Sequence, residues 1–426
     1  MNPDVSPRSL VVNFNSPELN QLALALARAR SLTHYVRPYV NKGRTWERAL
    51  ATLPFVGGVY GSTFGRRRSP HAELSHLTQE AGVAADLCAA AIGRLHTIPA
   101  RLRQRWTSEL YKSVRTSVAD TAGQLASQSD CVVAYEGFAL PAFESIHRNL
   151  GARAVLNYPV AHHRQRRRVR LEELEREPLF ASTWPDFDDW PAGHEERLDA
   201  EIELAHGILV GSGYARDSFI AEGVAPDKVK VVPYGVDLET FKPPAQPSQR
   251  ENFEVIYAGQ LTQRKGLSYL LRGYRKFARL DSSLTLVGSM VGDPTSLLPY
   301  AKGVRHIAHQ TRPALAEMYR QSDVFVFPTL IEGMPLVVLE AMACGLPVIV
   351  TANGPADIVR DGVDGFIIPQ RDADAVTGCL ERLYRDRSLR AEMGRNASQR
   401  ALEFGWGAYT SKAQAYLAQL TGGSVE

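Results

Sequence analysis

The stretch PTLIEGMPLVVLEAMACGLPVIVT, residues 328–351, carries two acidic residues, Glu332 and Glu340, with seven residues between them. Glu332 stands beside a glycine, and Glu340 is set in an otherwise apolar run. A buried carboxylate without a partner is costly, so each must hold something. Pro335 suits a first helical turn, where its missing N–H costs nothing. Gly345 and Pro347 are placed to end that helix. The spacing therefore predicts a helix beginning just after Glu332, with Glu340 about one and a half turns in. Leu336, Leu339 and Ala343 mark one buried face of it.

β-Branched runs flank this helix, DVFVFPT before it and LPVIVT after it. Outward from there the same alternation repeats. SLVVNF, CVVAY, RAVLNYP, HGILVGS and KVKVVPYG read as strands in the first half. FEVIYAGQ, LTLVGS, VRHIA and DGFIIP continue them in the second. Amphipathic helical patterns such as GLSYLLRGYRKFARL and RPALAEMYRQS lie between. Such alternation implies parallel sheets covered on both faces: two doubly wound, Rossmann-like α/β domains. The Tyr-Gly-Val-Asp turn and the Pro-, Gln- and Ser-rich connection near 231–255 mark the boundary. The expected domains are 1–235 and 236–405, with 406–426 a terminal helix packing back toward the first. Residues 45–125 show helical patterning and weak strand signals.

A chain of 426 residues, 44% hydrophobic and 22% charged, is ordinary for a globular protein of two domains. Its net charge of +3 excludes an argument for nucleic acid. Cys88, Cys131, Cys344 and Cys379 show neither zinc nor CxxC spacing and are expected as buried, inert thiols in a reducing compartment. No basic-then-apolar leader is evident, and no apolar run approaches the ~18–20 residues that cross a bilayer. The expected location is the cytoplasm, with a place at the inner face of the membrane left open.

Charge is uneven. Residues 28–170 hold 22 lysines and arginines against 9 acidic residues. They include GRRR at 65–68, RLRQR at 101–105 and RQRRRVR at 164–170. Phe55, Tyr60 and Phe64 precede the first cluster, a pairing suited to peripheral contact with an anionic membrane. Equally, these cations balance the acidic segment at 171–227 within the fold.

In a doubly wound domain, a helix entered from a strand's carboxyl end points its free N–H groups into the ligand crevice and favours phosphate. Glu332 and Glu340 are then placed to accept hydrogen bonds from hydroxyl-rich groups on either side of it. The alternative is that Glu332 caps the helix and Glu340 pairs with an arginine. A second constellation bears on the choice. YAGQLTQRKGLSYLL, residues 257–271, reads as strand, glycine turn at Gly259, then Arg264 and Lys265 at a helix start. Two adjacent cations there suit a diphosphate. Gly288, in LVGS, adds another strand end open to close backbone approach.

Together AGQLTQRKG, LVGS, EGMPLVVLEAMACGLPVI and VVPYGVDLETFKP resemble a retaining glycosyltransferase of family 4, with the GT-B fold and the E-x7-E motif. The resemblance runs from about Glu203 to the C-terminus. It implies that Arg264 and Lys265 bind the donor diphosphate, that Glu332 contacts donor-sugar hydroxyls and that Glu340 contacts the ribose. It also implies that Gly333, Met334, Pro335 and Leu336 present backbone to the diphosphate and sugar, near Gly259 and Gly288. Implied too are a nucleotide sugar as co-substrate with no resident cofactor and a glycan or lipid-linked acceptor in bacterial surface-polysaccharide synthesis. A related epimerase or phosphorylase, or a sugar-nucleotide sensor, is the competing expectation.

The first half matches less closely. Asn15 and Ser16 stand where the family carries glycines, and NYPVAHHRQ resembles its histidine region, which makes His162 and His163 site candidates. Glu136 and Gly137 follow the strand CVVAY. Asp186-Phe187-Asp188 has the D-x-D spacing of metal-dependent transferases but lies in a Pro/Trp loop, so no metal is expected. The glycine-rich residues 57–65 lack the lysine of a phosphate-binding loop.

Overall fold

Among the described residues, thirteen short strands form two sheets, and every pairing with a defined register is parallel. The computed structural model describes residues 7–14, 16–52, 71–93, 95, 99–148, 151–184, 193–245 and 252–422. The first sheet contains β1 (Ser9–Val12), β2 (Leu32–Arg37), β3 (Thr78–Glu80), β4 (Cys131–Tyr135), β5 (Arg153–Asn157), β6 (Gly207–Val210) and β7 (Val229–Val231). The second contains β8 (Phe253–Ala258), β9 (Ser282–Val287), β10 (Val304–Ile307), β11 (Val324–Phe327), β12 (Val348–Thr351) and β13 (Gly365–Ile368).

Strand order is β3-β2-β1-β4-β5-β6-β7 in one sheet and β10-β9-β8-β11-β12-β13 in the other. Each order reverses direction once, between β1 and β4 and between β8 and β11. At such a reversal the loops leaving neighbouring strands splay apart, and the gap at the carboxyl edge is the natural ligand crevice. Strands β1, β6, β11 and β12 are buried at every position, as β-branched runs covered on both faces require. The fold is therefore two Rossmann-like α/β domains.

Contacts divide the chain into two compact units. One comprises Met1–Asn157, Asp188–Leu209 and Thr410–Glu426; the other comprises Tyr158–Phe187 and Val210–Tyr409. The division is not linear, because Tyr158–Phe187 belongs to the second unit and the end of the terminal helix, Trp406–Leu420, to the first.

Several details depart from expectation. The 328–351 helix is Leu336–Ala343, and Pro335 precedes it at φ −76° and ψ 109°, outside helical space. The helix is buried from Val338 to Ala343 rather than along one stripe, while Leu336 is only half-buried. Strands β2 and β3 were not anticipated: LTHYVR carries polar residues, and β3 is three residues long. Cys88 is exposed, contrary to the expectation of four buried thiols. In the basic run, Arg168 pairs with Glu222 at 2.5 Å and Arg164 with the same carboxylate at 3.8 Å, while Arg170 is buried. Arg166 donates to the Tyr158 hydroxyl at 3.1 Å. Part of this run thus serves the fold, while Arg164, Arg167 and Arg168 remain exposed. Asn15, Phe55, Tyr60, Phe64, the arginines at 66–68, the 57–65 glycines, Asp186 and Asp188 lie outside the described residues.

Candidate functional site

The loops after β8 and β11 meet at the second sheet's strand-order reversal. Leu330 N–H donates to the Arg264 carbonyl at 2.9 Å. Asn353 Nδ2 and Gln370 Nε2 both donate to the Leu330 carbonyl at 2.7 Å, and Glu332 N–H donates to the Asn353 carbonyl at 3.1 Å. Thr351 Oγ1 donates to the Thr329 carbonyl at 2.6 Å. The loop holding Glu332 is thus tied to strand ends on both sides. That rigidity is what a binding constellation needs.

Glu332 is buried, at 7% exposure, and its Oε1 is the focus of the site. Arg264 Nη1 donates to it at 2.7 Å, and Lys265 Nζ bonds the same oxygen. Arg264 Nη1 also reaches the Ile331 carbonyl at 3.2 Å, and Lys265 Nζ lies 5.1 Å from the centre of the Phe327 ring. Burial pushes the Glu332 carboxyl up, but Arg264 and Lys265 outweigh it and hold the group below its usual range. Burial and the Arg264 charge lower the Lys265 ammonium to about 8, against the pull of Glu332. Two cations therefore share one carboxylate, leaving positive charge over for an anion.

Close backbone packing shapes the rim. Gly259 and Gly288 have φ of +138° and +144°, in the left-handed half of the map, and a Cβ at Gly288 would collide with the Gly259 carbonyl. A Cβ at Gly333 would collide with the Pro159 carbonyl. Met334 is buried, and its sulfur accepts from Tyr234 N–H at 2.9 Å.

Glu340 sits apart from this pair on its own partner. Arg312 Nη1 lies 3.1 Å from its Oε1, with the guanidinium stacked 4.8 Å over the Phe241 ring. Burial raises the Glu340 carboxyl to about 7, with Arg312 opposing and Asp237 assisting. Of the competing sequence readings, the arginine partner for Glu340 is present, whereas Glu332 pairs with the clamp cations rather than capping the helix.

The histidines begin the helix His163–Arg176 in the same unit. His162 Nδ1 accepts from Arg164 N–H at 3.2 Å as its cap, and His163 Nδ1 is 3.2 Å from the Tyr158 hydroxyl. Burial, with Arg166 and Arg164 nearby, lowers His163 to about 3, so its ring is neutral at physiological pH. Just ahead of them, Val160 and Ala161 pack on Leu330 and Ile331, the residues preceding Glu332.

Sequence reasoning missed Glu173. This buried carboxylate takes Gln263 Nε2 at 2.7 Å, the Tyr269 hydroxyl at 2.8 Å and Arg371 Nε at 2.8 Å. It fixes the residue next to Arg264, yet lies in an acidic run whose partners are distant in sequence. Arg312 was missed for the same reason. Glu201 was missed in the first unit, where its carboxylate accepts from Gly137, Ala139 and Leu140 N–H at 2.6, 2.9 and 3.1 Å. The candidates Glu136 and Gly137 thus lie in a loop held by a buried acid, which burial raises to about 7.

A pair of Rossmann-like domains with a cation–carboxylate cluster at the second reversal point is the class that fold and site define. Residues 239–400, which hold the cluster, match the family model for Glycosyl transferases group 1. The D-inositol 3-phosphate glycosyltransferase of Frankia alni is 32% identical over 262 residues, covering 56% of this chain and 64% of that protein. The enzyme of that name from Paenarthrobacter aurescens is 29% identical over 236 residues, covering 51% and 58%. The chain thus spans less than two thirds of the length of these relatives. Anabaena HepE, solved in complex with UDP-glucose, is similar over 97% of this chain and 100% of its own, with TM-score 0.63 and 15% identity. Sucrose-phosphate synthase of Thermosynechococcus elongatus is similar over 98% and 99%, with TM-score 0.61 and 18% identity. At these identities the likeness is one of fold.

Proposed function

We propose that the protein is a retaining glycosyltransferase that moves a sugar from a nucleotide-sugar donor to a hydroxyl of its acceptor. The observation carrying this reading is the Glu332–Arg264–Lys265 cluster at the second reversal point, inside the segment that matches group 1 glycosyltransferases. HepE was solved with UDP-glucose, which supports a uridine diphosphate sugar as first donor to try.

The donor diphosphate takes over Arg264 and Lys265, which Glu332 holds in its absence. As the anomeric carbon–oxygen bond breaks, the two cations neutralise charge developing on the leaving diphosphate. The acceptor oxygen forms its bond on the same face and its proton passes to a diphosphate oxygen, so configuration is retained. The Glu332 carboxylate, freed from its cations, steadies the positively charged sugar. Glu340 accepts from the ribose once Arg312 yields, and Gly333 to Leu336 supply backbone to the sugar and diphosphate. His162 and His163 flank the donor sugar or acceptor. No metal or resident cofactor enters.

The acceptor is a glycan or a lipid-linked sugar of surface-polysaccharide synthesis, reached at the inner face of the membrane. Among the described residues, no helix is long and apolar enough to cross a bilayer. The names of the curated relatives add a phosphorylated cyclitol as a second acceptor class.

A panel of nucleotide sugars, screened by thermal shift and then turnover with NMR reading of the product anomer, tests the proposal. A retained anomeric configuration with one donor supports it, and absence of binding to every nucleotide sugar refutes it. Flotation with anionic and neutral vesicles at low and high salt tests the membrane contact. Failure to float on anionic vesicles at low salt refutes that contact.

A further inference from the structure

The carboxyl edge of the first sheet carries a cation, Arg115, that Glu201 and Glu136 attract only from beyond ion-pair distance. Arg115, on the helix Ala100–Leu125, is half-buried, and its Nε has no hydrogen-bond partner among the described residues. Nη1 meets Nδ1 of His194 at 3.3 Å, and the guanidinium lies 5.7 Å over the Phe138 ring. Among the described residues no carboxylate lies within ion-pair distance of it. Glu201, whose charge acts on Arg115 together with that of Glu136, is engaged by three backbone N–H groups and lies 4.0 Å from Arg197 Nε. Burial and the neighbouring Arg197 charge pull the Arg115 guanidinium below its usual range.

A half-buried charge is disfavoured unless an anion joins it. Its position is also informative. Phe138 follows β4 and stacks at 5.3 Å on Phe14, which follows β1, and Tyr111, one turn before Arg115, meets Phe14 edge-on at 6.3 Å. These are the loops on either side of the first reversal point, where a ligand is expected. Phe14 and Tyr111 are partly exposed while Phe138 is buried, and partly exposed aromatic rings near a guanidinium suit a ring-shaped polyol bearing an oxyanion.

Resting on the transferase reading, we infer that Arg115, supported by Arg197 and His194, binds a phosphate or carboxylate carried by the acceptor, whose polyol ring lies against Phe14 and Tyr111.

Calorimetric titration of the full chain with inositol 3-phosphate, myo-inositol and inorganic phosphate tests this without donor or turnover. Arg115→Met should weaken inositol 3-phosphate at least ~10-fold and leave myo-inositol unchanged, with Arg115→Lys intermediate. Removing a charge that burial and Arg197 disfavour more than Glu201 and Glu136 favour it should leave the melting temperature level or higher. Arg197→Gln should weaken the phosphorylated ligand in the same direction, which keeps the test open if Arg115→Met folds poorly. Equal affinity of wild type and both variants would overturn the inference, as would inorganic phosphate binding as tightly as inositol 3-phosphate. Inactivity with every nucleotide sugar would sink the transferase reading alone, because the binding differences need no donor.

Discussion

Arg264 Nη1 lies 2.7 Å from Oε1 of Glu332, 68 residues away in sequence, and this ion pair spans the two loops of the second reversal point. On the proposed reading, a carboxylate held by the two cations competes with the donor diphosphate for them. Glu332→Gln should therefore bind nucleoside diphosphate at least as tightly as wild type, while turnover falls because the sugar loses its stabilising charge. Calorimetry and steady-state kinetics on one preparation check both. A parallel loss of affinity and rate would contradict the competition.

Lys265 gives a pH signature of two signs. Its ammonium is lowered from 10.5 to about 8, so donor affinity should fall as pH rises through about 8 and the clamp loses charge. Between about 8 and 10.5 the unfolded chain holds the extra proton, so this group makes stability rise with pH over the same window. Opposite slopes of donor affinity and melting temperature are the expected result. The binding slope should vanish in Lys265→Met.

Glu340 reverses the second sign. Its folded value of about 7 exceeds the unfolded 4.5, so the native state takes up a proton. Its contribution to stability is fully present below 4.5 and lost as pH rises through about 7. Glu340→Gln should flatten that part of the melting-temperature profile, measured by calorimetry, and should weaken donor binding more than turnover. An unchanged profile would place the titration elsewhere.

Eleven of the thirteen strands were legible because they are short β-branched runs bounded by turn residues. The run LTHYVR was not, since Thr33 and His34 break its apolar pattern, and the three residues of β3 carry too little signal. That Arg264, Lys265 and Glu332 stand at strand ends was legible because the first two follow a strand and a glycine turn and the third precedes a helix; their ion pairs with one another were not. The partner of each acid was not. Arg312 for Glu340, Arg371 for Glu173 and the Gly137 loop for Glu201 are choices made by tertiary folding, which local pattern does not encode. For the basic run at 164–170 the pairing with the acidic 171–227 segment was legible, but not that Glu222, 54 residues from Arg168, would be the partner.

In the proposed mechanism Arg264 and Lys265 take the part a metal would otherwise play. Activity should therefore survive a chelator, and Asp188→Asn should leave turnover nearly unchanged, since the proposed mechanism gives that carboxylate no metal to hold. Loss of activity in EDTA with recovery on manganese would reverse the assignment of charge neutralisation to Arg264 and Lys265.

The most direct test of the central claim is Lys265→Ala, measured for both nucleoside diphosphate binding and sugar transfer. Losing one charged contact to the leaving group should lower turnover by roughly 10²–10³. Diphosphate affinity should also fall, affinity for the bare nucleoside should hold, and the melting temperature should not drop. Normal turnover, or equal losses for nucleoside and nucleoside diphosphate, would show that the diphosphate does not sit between Arg264, Lys265 and Glu332.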